Sequence, residues 1–160
     1  MPSFFFGLWS FFRMWKQLFR YFDWYSRPKS GAELGVWGEQ IAVKYLKRQR
    51  YRVVESNVRF PFGEIDIVAI DQKTVVFVEV KTRRSPVKFQ PWEAVDTAKQ
   101  RKLIRLGGAY LRREGLLDQR ARFDIVSVSW DGKTRKPEIE QLIDAFGEDD
   151  VSSPSGFDEI

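Results

Sequence analysis

Four charged side chains stand at a spacing that can do chemistry: Glu64, Asp66, Glu79 and Lys81, inside the run GEIDIVAIDQKTVVFVEVKT from Gly63 to Thr82. The run reads as two strands around a short polar turn, Asp71-Gln72-Lys73-Thr74. In the first strand Ile65, Ile67 and Ala69 alternate with Glu64, Asp66 and Val68. In the second, Val76, Val78 and Val80 alternate with Val75, Phe77, Glu79 and Lys81. A turn centred between Gln72 and Lys73 sets Ile70 opposite Val75, Val68 opposite Phe77, Asp66 opposite Glu79 and Glu64 opposite Lys81, all on one face. A slip of one residue would dissolve that arrangement. Glu64 and Lys81 can simply pair. Asp66 and Glu79 are different, because two carboxylates about 5 Å apart repel by roughly 3 kcal/mol at an effective dielectric of 20. Either one of them keeps a proton or a cation lies between them. The bland reading is a solvated sheet face with one salt bridge, and the sharper one is a metal site.

Composition narrows the chemistry. The 160 residues include no histidine and no cysteine. That removes histidine general bases, Ser-His-Asp catalysis, zinc-hydrolase ligation, thiolate nucleophiles and disulfides. Any metal must sit on oxygen, which favours magnesium, manganese or calcium. The net charge of +5 is uneven: residues 1–30 carry +4, residues 31–146 carry +6 and residues 147–160 carry −5. A basic body suits a polyanion such as nucleic acid, although a solvated lysine-rich face would look similar.

The elements that must position these residues follow from periodicity. Residues 32–48 form a helix, with Leu34, Trp37, Gly38, Ile41, Ala42, Tyr45 and Leu46 on one stripe and Ser30 as its N-cap. Glu39 sits at the edge of that stripe, half out of water. It has no cation a turn away, since those neighbours are Gly35, Val36, Ala42 and Val43. Residues 51–59 are a first strand, and Pro61 turns the chain into the hairpin. A basic loop over residues 83–91 follows, then one turn at Glu93-Ala94-Val95. Asp96 or Thr97 caps a second helix that runs to about Arg113 and turns Leu103, Leu106, Gly107, Tyr110 and Leu111 inward. Gly115 ends it. Residues 122–130 are a strand, Asp131-Gly132 a turn, and residues 138–143 a last strand. From Lys81 to Arg122 the chain carries twelve basic and four acidic residues. Lys99, Arg101, Lys102 and Arg105 crowd one end of the second helix, where a neighbouring carboxylate cluster makes phosphate contact a better account than solubility alone.

The two ends differ from this body. Residues 3–25, SFFFGLWSFFRMWKQLFRYFDWY, are too interrupted for a spanning helix and lack the marks of a signal peptide. An amphipathic helix lying in a membrane interface fits, and so does docking on its own domain or on a second copy as a dimer contact. Residues from Gly147 onward are acidic, rich in Ser and Pro, and expected to be disordered. The expected organisation is an aromatic helix and linker over 1–30, one domain over 31–146 and an acidic tail over 147–160.

Asp66 followed by Glu79-Val80-Lys81 on the next strand resembles the core of the PD-(D/E)xK nuclease superfamily. A wider set resembles the bacterial YraN-like family of uncharacterised proteins: Gly38-Glu39, Gly63-Glu64-Ile65-Asp66, the run Val76 to Arg83, Glu93-Ala94-Val95 and Arg122-Phe123-Asp124. Ile65 stands where the superfamily label has proline. The resemblance covers roughly residues 31–146 and does not reach the aromatic segment. It implies an α/β restriction-endonuclease-like fold with an αβββαβ core, a mixed sheet flanked by helices. It also implies metal-dependent hydrolysis of phosphodiester bonds in DNA, branched DNA included. Asp66, Glu79 and the carbonyl of Val80 would hold magnesium or manganese, Glu39 would complete the shell, and Lys81 would orient or activate the attacking water. Glu64 would support Lys81, Asp124 would be structural, and Arg83, Arg84, Lys99, Arg101 and Lys102 would meet the nucleic acid. Two other readings stay open. One is a nucleic-acid binder that does not cut, and the other is a membrane-surface adaptor working through residues 3–25. The expected location is cytoplasmic, with attachment to the inner membrane face if the aromatic segment binds lipid.

Overall fold

The computed structural model of the chain describes residues 28, 30–84, 95–131 and 136–147. The aromatic segment 3–25, the basic loop beyond Arg84, Glu93-Ala94 and the acidic tail beyond Gly147 lie outside the described residues. Among the described residues no helix is long and apolar enough to cross a membrane.

Helix α1 spans Gly31–Arg48, and its start follows the capping rule: Ser30 is extended and its hydroxyl accepts the Glu33 N–H at 3.2 Å. Three strands follow, β1 (Arg52–Phe60), β2 (Gly63–Asp71) and β3 (Thr74–Arg83). Helix α2 (Thr97–Glu114) begins at Asp96, whose carboxylate accepts the Lys99 N–H at 2.8 Å, and ends at Gly115 in the left-handed region at φ 68°. Strands β4 (Ala121–Ser129) and β5 (Glu138–Phe146) complete the chain. The last strand therefore runs three residues further than its periodicity suggests.

The sheet order is β1-β2-β3-β4-β5. Neighbours are antiparallel except β3 and β4, which are parallel because α2 carries the chain back across one face between them. The sheet is thus mixed, with a helix on each face, as an αβββαβ order requires. On one face Ile41, Ala42 and Leu46 of α1 bury Ile67, Ala69, Val76, Val78, Val126 and Val128. On the other, Leu103, Leu106 and Tyr110 of α2 bury Val58, Val68, Val75, Phe77 and Ile125. The alternation in β3 is as its sequence states. The alternation in β2 breaks once: Ile67 and Ala69 lie on the α1 side, but Ile65 joins the α2-side core. This corrects the expectation that all three share a face, and its cause lies at the site.

Candidate active site at the open end of strands β2 and β3

The β2–β3 ladder runs from Asp71 opposite Thr74 to Ile67 opposite Val78, which is the expected register. The next positions outward are Asp66 and Glu79. Here ladder bonding gives way to a side chain, and the Val80 N–H donates to Asp66 Oδ2 at 2.7 Å. On the other flank of β2, Asn57 of β1 stands across from Asp66, between the pairs Ser56–Ile67 and Val58–Ile65, with φ 56°. Asparagine tolerates that left-handed conformation better than most residues. The kink it makes, together with the end of the β3 ladder, lets β2 rotate. Asp66 then reaches along the sheet to β3, and Ile65 turns to the α2-side core.

Glu79 is buried at 5 % exposure. One of its oxygens, Oε1, accepts from Lys81 Nζ at 2.9 Å and from Lys99 Nζ. Lys81 reaches it because residues two apart on a strand share a face. Lys99 reaches it from the first turn of α2, the turn that Asp96 caps through the Lys99 N–H itself. Sequence analysis assigned Lys99 to nucleic acid, whereas the structure places its ammonium on the buried carboxylate.

Glu39 enters from the opposite helix. A Cβ on Gly38 would lie 1.7 Å from Thr82 Oγ1, so only glycine lets α1 touch β3 here. That close approach carries Glu39, next in the chain, to the edge of the site. Its carboxylate is hydrogen-bonded to the Asn57 side chain, and burial, followed by the charges of Glu64 and Glu79, pushes its pKa up against that bond. Asp66 is pushed up to about 7, first by burial and then by the charge of Glu79; the Val80 N–H opposes this. Burial depresses the Lys99 ammonium, but its bond to the Glu79 carboxylate and the charges of Glu79 and Asp66 outweigh that and raise its pKa.

The donor set suits a hard cation. Asp66, Glu79 and the Val80 carbonyl offer only oxygen, and burial followed by the charge of Glu79 disfavours the Asp66 charge even with the Lys99 ammonium nearby. The set is smaller than the family resemblance implies. Among the described residues no group of three or more acidic side chains is arranged to hold a metal ion, and Glu39 is engaged with Asn57. Glu39 is therefore linked to the pair through its charge.

Glu64 needs a correction. It stands 3.6 Å from Arg59 rather than beside Lys81, because the ladder that would carry Glu64 across from Lys81 has ended and Lys81 has turned to Glu79. Arg84 is also committed elsewhere. Its guanidinium donates to the Pro28 carbonyl at 2.5 Å and lies 5.3 Å from the centre of the Trp130 ring. Arg83 is exposed at the end of β3, and Arg101 and Lys102 are exposed on α2. A cleft of about 450 Å³ opens over the site, with Asp66, Glu79 and Lys99 among its lining and Arg59, Phe60, Pro61, Gly63, Glu64 and Lys102 around them.

Asp124 is structural, as expected. It is fully buried on the α1 side of β4, opposite Val78 and on the other face of the sheet from Glu79, where its oxygens accept from Arg122 Nε at 3.0 Å, Gln141 Nε2 at 2.9 Å and the Asp144 N–H at 2.9 Å. The last bond fastens the irregularity in the β4–β5 pairing, where Asp144 has φ 53°. Asn57 is the site residue that sequence analysis missed. The available signal was an asparagine inside an otherwise strand-like run, where that residue is disfavoured.

All of these site residues fall within one matched region. Residues 38–128 match the uncharacterised protein family UPF0102. A UPF0102 protein of Geobacter sulfurreducens is 47% identical over 113 residues, covering 71% of this chain and 88% of the relative. One from Geobacter metallireducens is 47% identical over 113 residues, with 71% and 91% covered. One from Symbiobacterium thermophilum is 50% identical over 95 residues, with 59% and 80% covered. On this match and these relatives, the chain belongs to the uncharacterised protein family UPF0102.

Proposed function

We propose that this protein is a metal-dependent nuclease that hydrolyses phosphodiester bonds in DNA in the cytoplasm. The observation that carries the reading is the convergence of Asp66, Glu79 and Lys99 in one cleft at the open end of β2 and β3, with Lys81 bonded to Glu79 and the basic start of α2 beside it. Asp66, Glu79 and the Val80 carbonyl would hold magnesium or manganese. Bound there, such an ion supplies positive charge for the scissile phosphate and favours hydroxide at neutral pH. The protein's own groups do the rest. The Val80 N–H holds Asp66 in place from one side. Lys81, half-buried beside Glu79, has an ammonium that can orient the attacking water and offset charge on the phosphate. Lys99 neutralises Glu79 while the cleft is empty and can pass to a phosphate oxygen when substrate arrives. Lys102 at the cleft wall and Arg101 on the same helix add the positive charge that draws a polyanion.

One observation favours a second reading, a nucleic-acid binder without cleavage. Glu79 is already neutralised by two ammonium groups, and a third acidic ligand is not in place among the described residues. A cleavage assay separates the two. The full chain is incubated with single-stranded, duplex and four-way-junction DNA in magnesium, manganese or chelator, alongside Glu79→Ala and Lys81→Ala. Metal-dependent cutting abolished by both substitutions supports the nuclease. Binding without cutting in every metal supports the binder.

A further inference from the structure

Strands β1 and β2 are joined by a two-residue loop, Pro61-Phe62, closed by the pair Phe60–Gly63. Phe62 is 37 % exposed at its tip and does not belong to either core. An apolar ring held in water is unfavourable unless something covers it. In the protein its partners are planar or charged. Its ring lies 5.6 Å from that of Phe60, tilted by 30°, and the Arg105 guanidinium of α2 stands 4.5 Å from its centre. Phe60 in turn carries the Arg113 guanidinium at 5.2 Å. Two neighbouring aromatic rings therefore lie along one side of the hairpin with a guanidinium against each of them.

The hairpin is pressed onto α2 by a glycine. Gly63 has φ 151°, and a Cβ there would lie 2.5 Å from Lys102 Cε and 3.3 Å from Leu106 Cδ1. The absence of that atom lets Lys102 pass under the hairpin into the cleft that Asp66 and Glu79 also line. Asp66 lies four residue steps beyond Phe62, about 13 Å of extended chain.

We propose that Phe62, backed by Arg105 and Lys102, is a stacking platform for an unpaired base, so that the strand entering the cleft is single-stranded at this point. The proposal rests on the nucleic-acid reading above and names the substrate class within it. Base-paired DNA keeps its ring faces covered by neighbouring pairs and offers nothing for Phe62 to stack on. A single strand offers a π-face at every base and phosphates for the two cations, which is how strand-binding surfaces combine aromatic and basic groups. A membrane surface is the less suitable partner. The tip presents one exposed ring flanked by cations, and it opens into a cleft lined by three carboxylates, Glu64, Asp66 and Glu79.

The test is binding without chemistry. Fluorescence anisotropy of the full-length protein is read in chelator with a single-stranded 20-mer, the matching duplex, and vesicles of anionic phospholipid as a third probe. Phe62→Ala is expected to weaken single-strand binding about 5- to 150-fold, the range for losing one stacked base. It should leave duplex binding within about twofold. Phe62→Trp should retain single-strand binding, which excludes a folding defect as the cause. Arg105→Gln should weaken both DNAs and lower the salt dependence of binding by about one counterion. A 2-aminopurine base in the single strand should be quenched by the wild type and not by Phe62→Ala. The inference is overturned if Phe62→Ala binds single strands as the wild type does, if it loses both DNAs equally, or if only vesicle binding depends on Phe62. If the wild type cuts DNA while Phe62→Ala binds it normally, the platform falls and the nuclease stands. If the wild type binds neither DNA, both fall.

Discussion

Replacing Asp66 by asparagine should make the protein more stable above neutral pH and leave it unchanged in acid. The amide oxygen of the introduced side chain can still accept the Val80 N–H that Asp66 accepts at 2.7 Å, so the local bond survives. What disappears is a buried charge beside Glu79. Asp66 is pushed from the ordinary 3.8 up to about 7, chiefly by burial and then by Glu79. The folded protein therefore holds a proton that the unfolded chain has released between about pH 4 and pH 7. Since stability changes with pH in proportion to the protons bound by the unfolded state minus those bound by the folded one, it must fall as pH rises through that window. A rise of about three pH units at about 1.4 kcal/mol each amounts to about 4 kcal/mol, fully lost above pH 7 and fully retained below pH 4. This is an upper figure, because the cleft leaves the carboxylate some water. Urea denaturation of the wild type and Asp66→Asn at pH 4 and pH 8, in chelator, reads it directly. The variant should gain a few kcal/mol at pH 8 and nothing at pH 4. Added magnesium should close the gap at pH 8 by stabilising only the wild type, with an affinity that falls as pH drops below 7. Equal stability of the two proteins at pH 8, or a gain that persists at pH 4, would refute the reasoning that charge at Asp66 is the costly feature.

Gly38→Ala should cost about 1–3 kcal/mol of stability and most of any cleavage, since the new methyl meets Thr82 Oγ1 at 1.7 Å. Adding Thr82→Ala should restore only part, because Thr82 Cβ still lies at 2.7 Å; full recovery in thermal melts would mean that the contact is less tight. Asp124→Ala should destabilise by about 3–5 kcal/mol by leaving a buried arginine bond and the Asp144 N–H without an acceptor, while cleavage per folded molecule stays unchanged. A loss of activity at full stability would instead give Asp124 a part in the chemistry. Asp96→Ala should lower stability by about 1 kcal/mol through the lost cap, and denaturant titration of the variant checks it.

Much of the framework was legible because it depends on short-range rules. The register of the β2–β3 hairpin followed from a two-residue turn and a period of two, and it held from Asp71–Thr74 to Ile67–Val78. The Ser30 cap followed from an oxygen-bearing side chain three residues ahead of its N–H donor, and the second cap was narrowed to Asp96 or Thr97, of which the structure uses Asp96. Asp66 and Glu79 could be paired on paper for the same reason. Ile65 could not be placed correctly, because alternation assumes a ladder that continues. Glu64 was matched to Lys81 by the same assumption and went to Arg59 instead.

The sequence by itself determined the order of elements, the acidic pair, and the absence of any imidazole or thiol. Those follow from residue type and local period. Only the tertiary structure decided where the β2–β3 ladder stops, that Asn57 kinks opposite Asp66 and holds Glu39, and that Lys99 crosses twenty residues of sequence to share Glu79 with Lys81. Glu39 and Lys99 are brought to the site by the packing of two helices against opposite faces of one sheet. These are long-range contacts, and no periodicity within a single element encodes them.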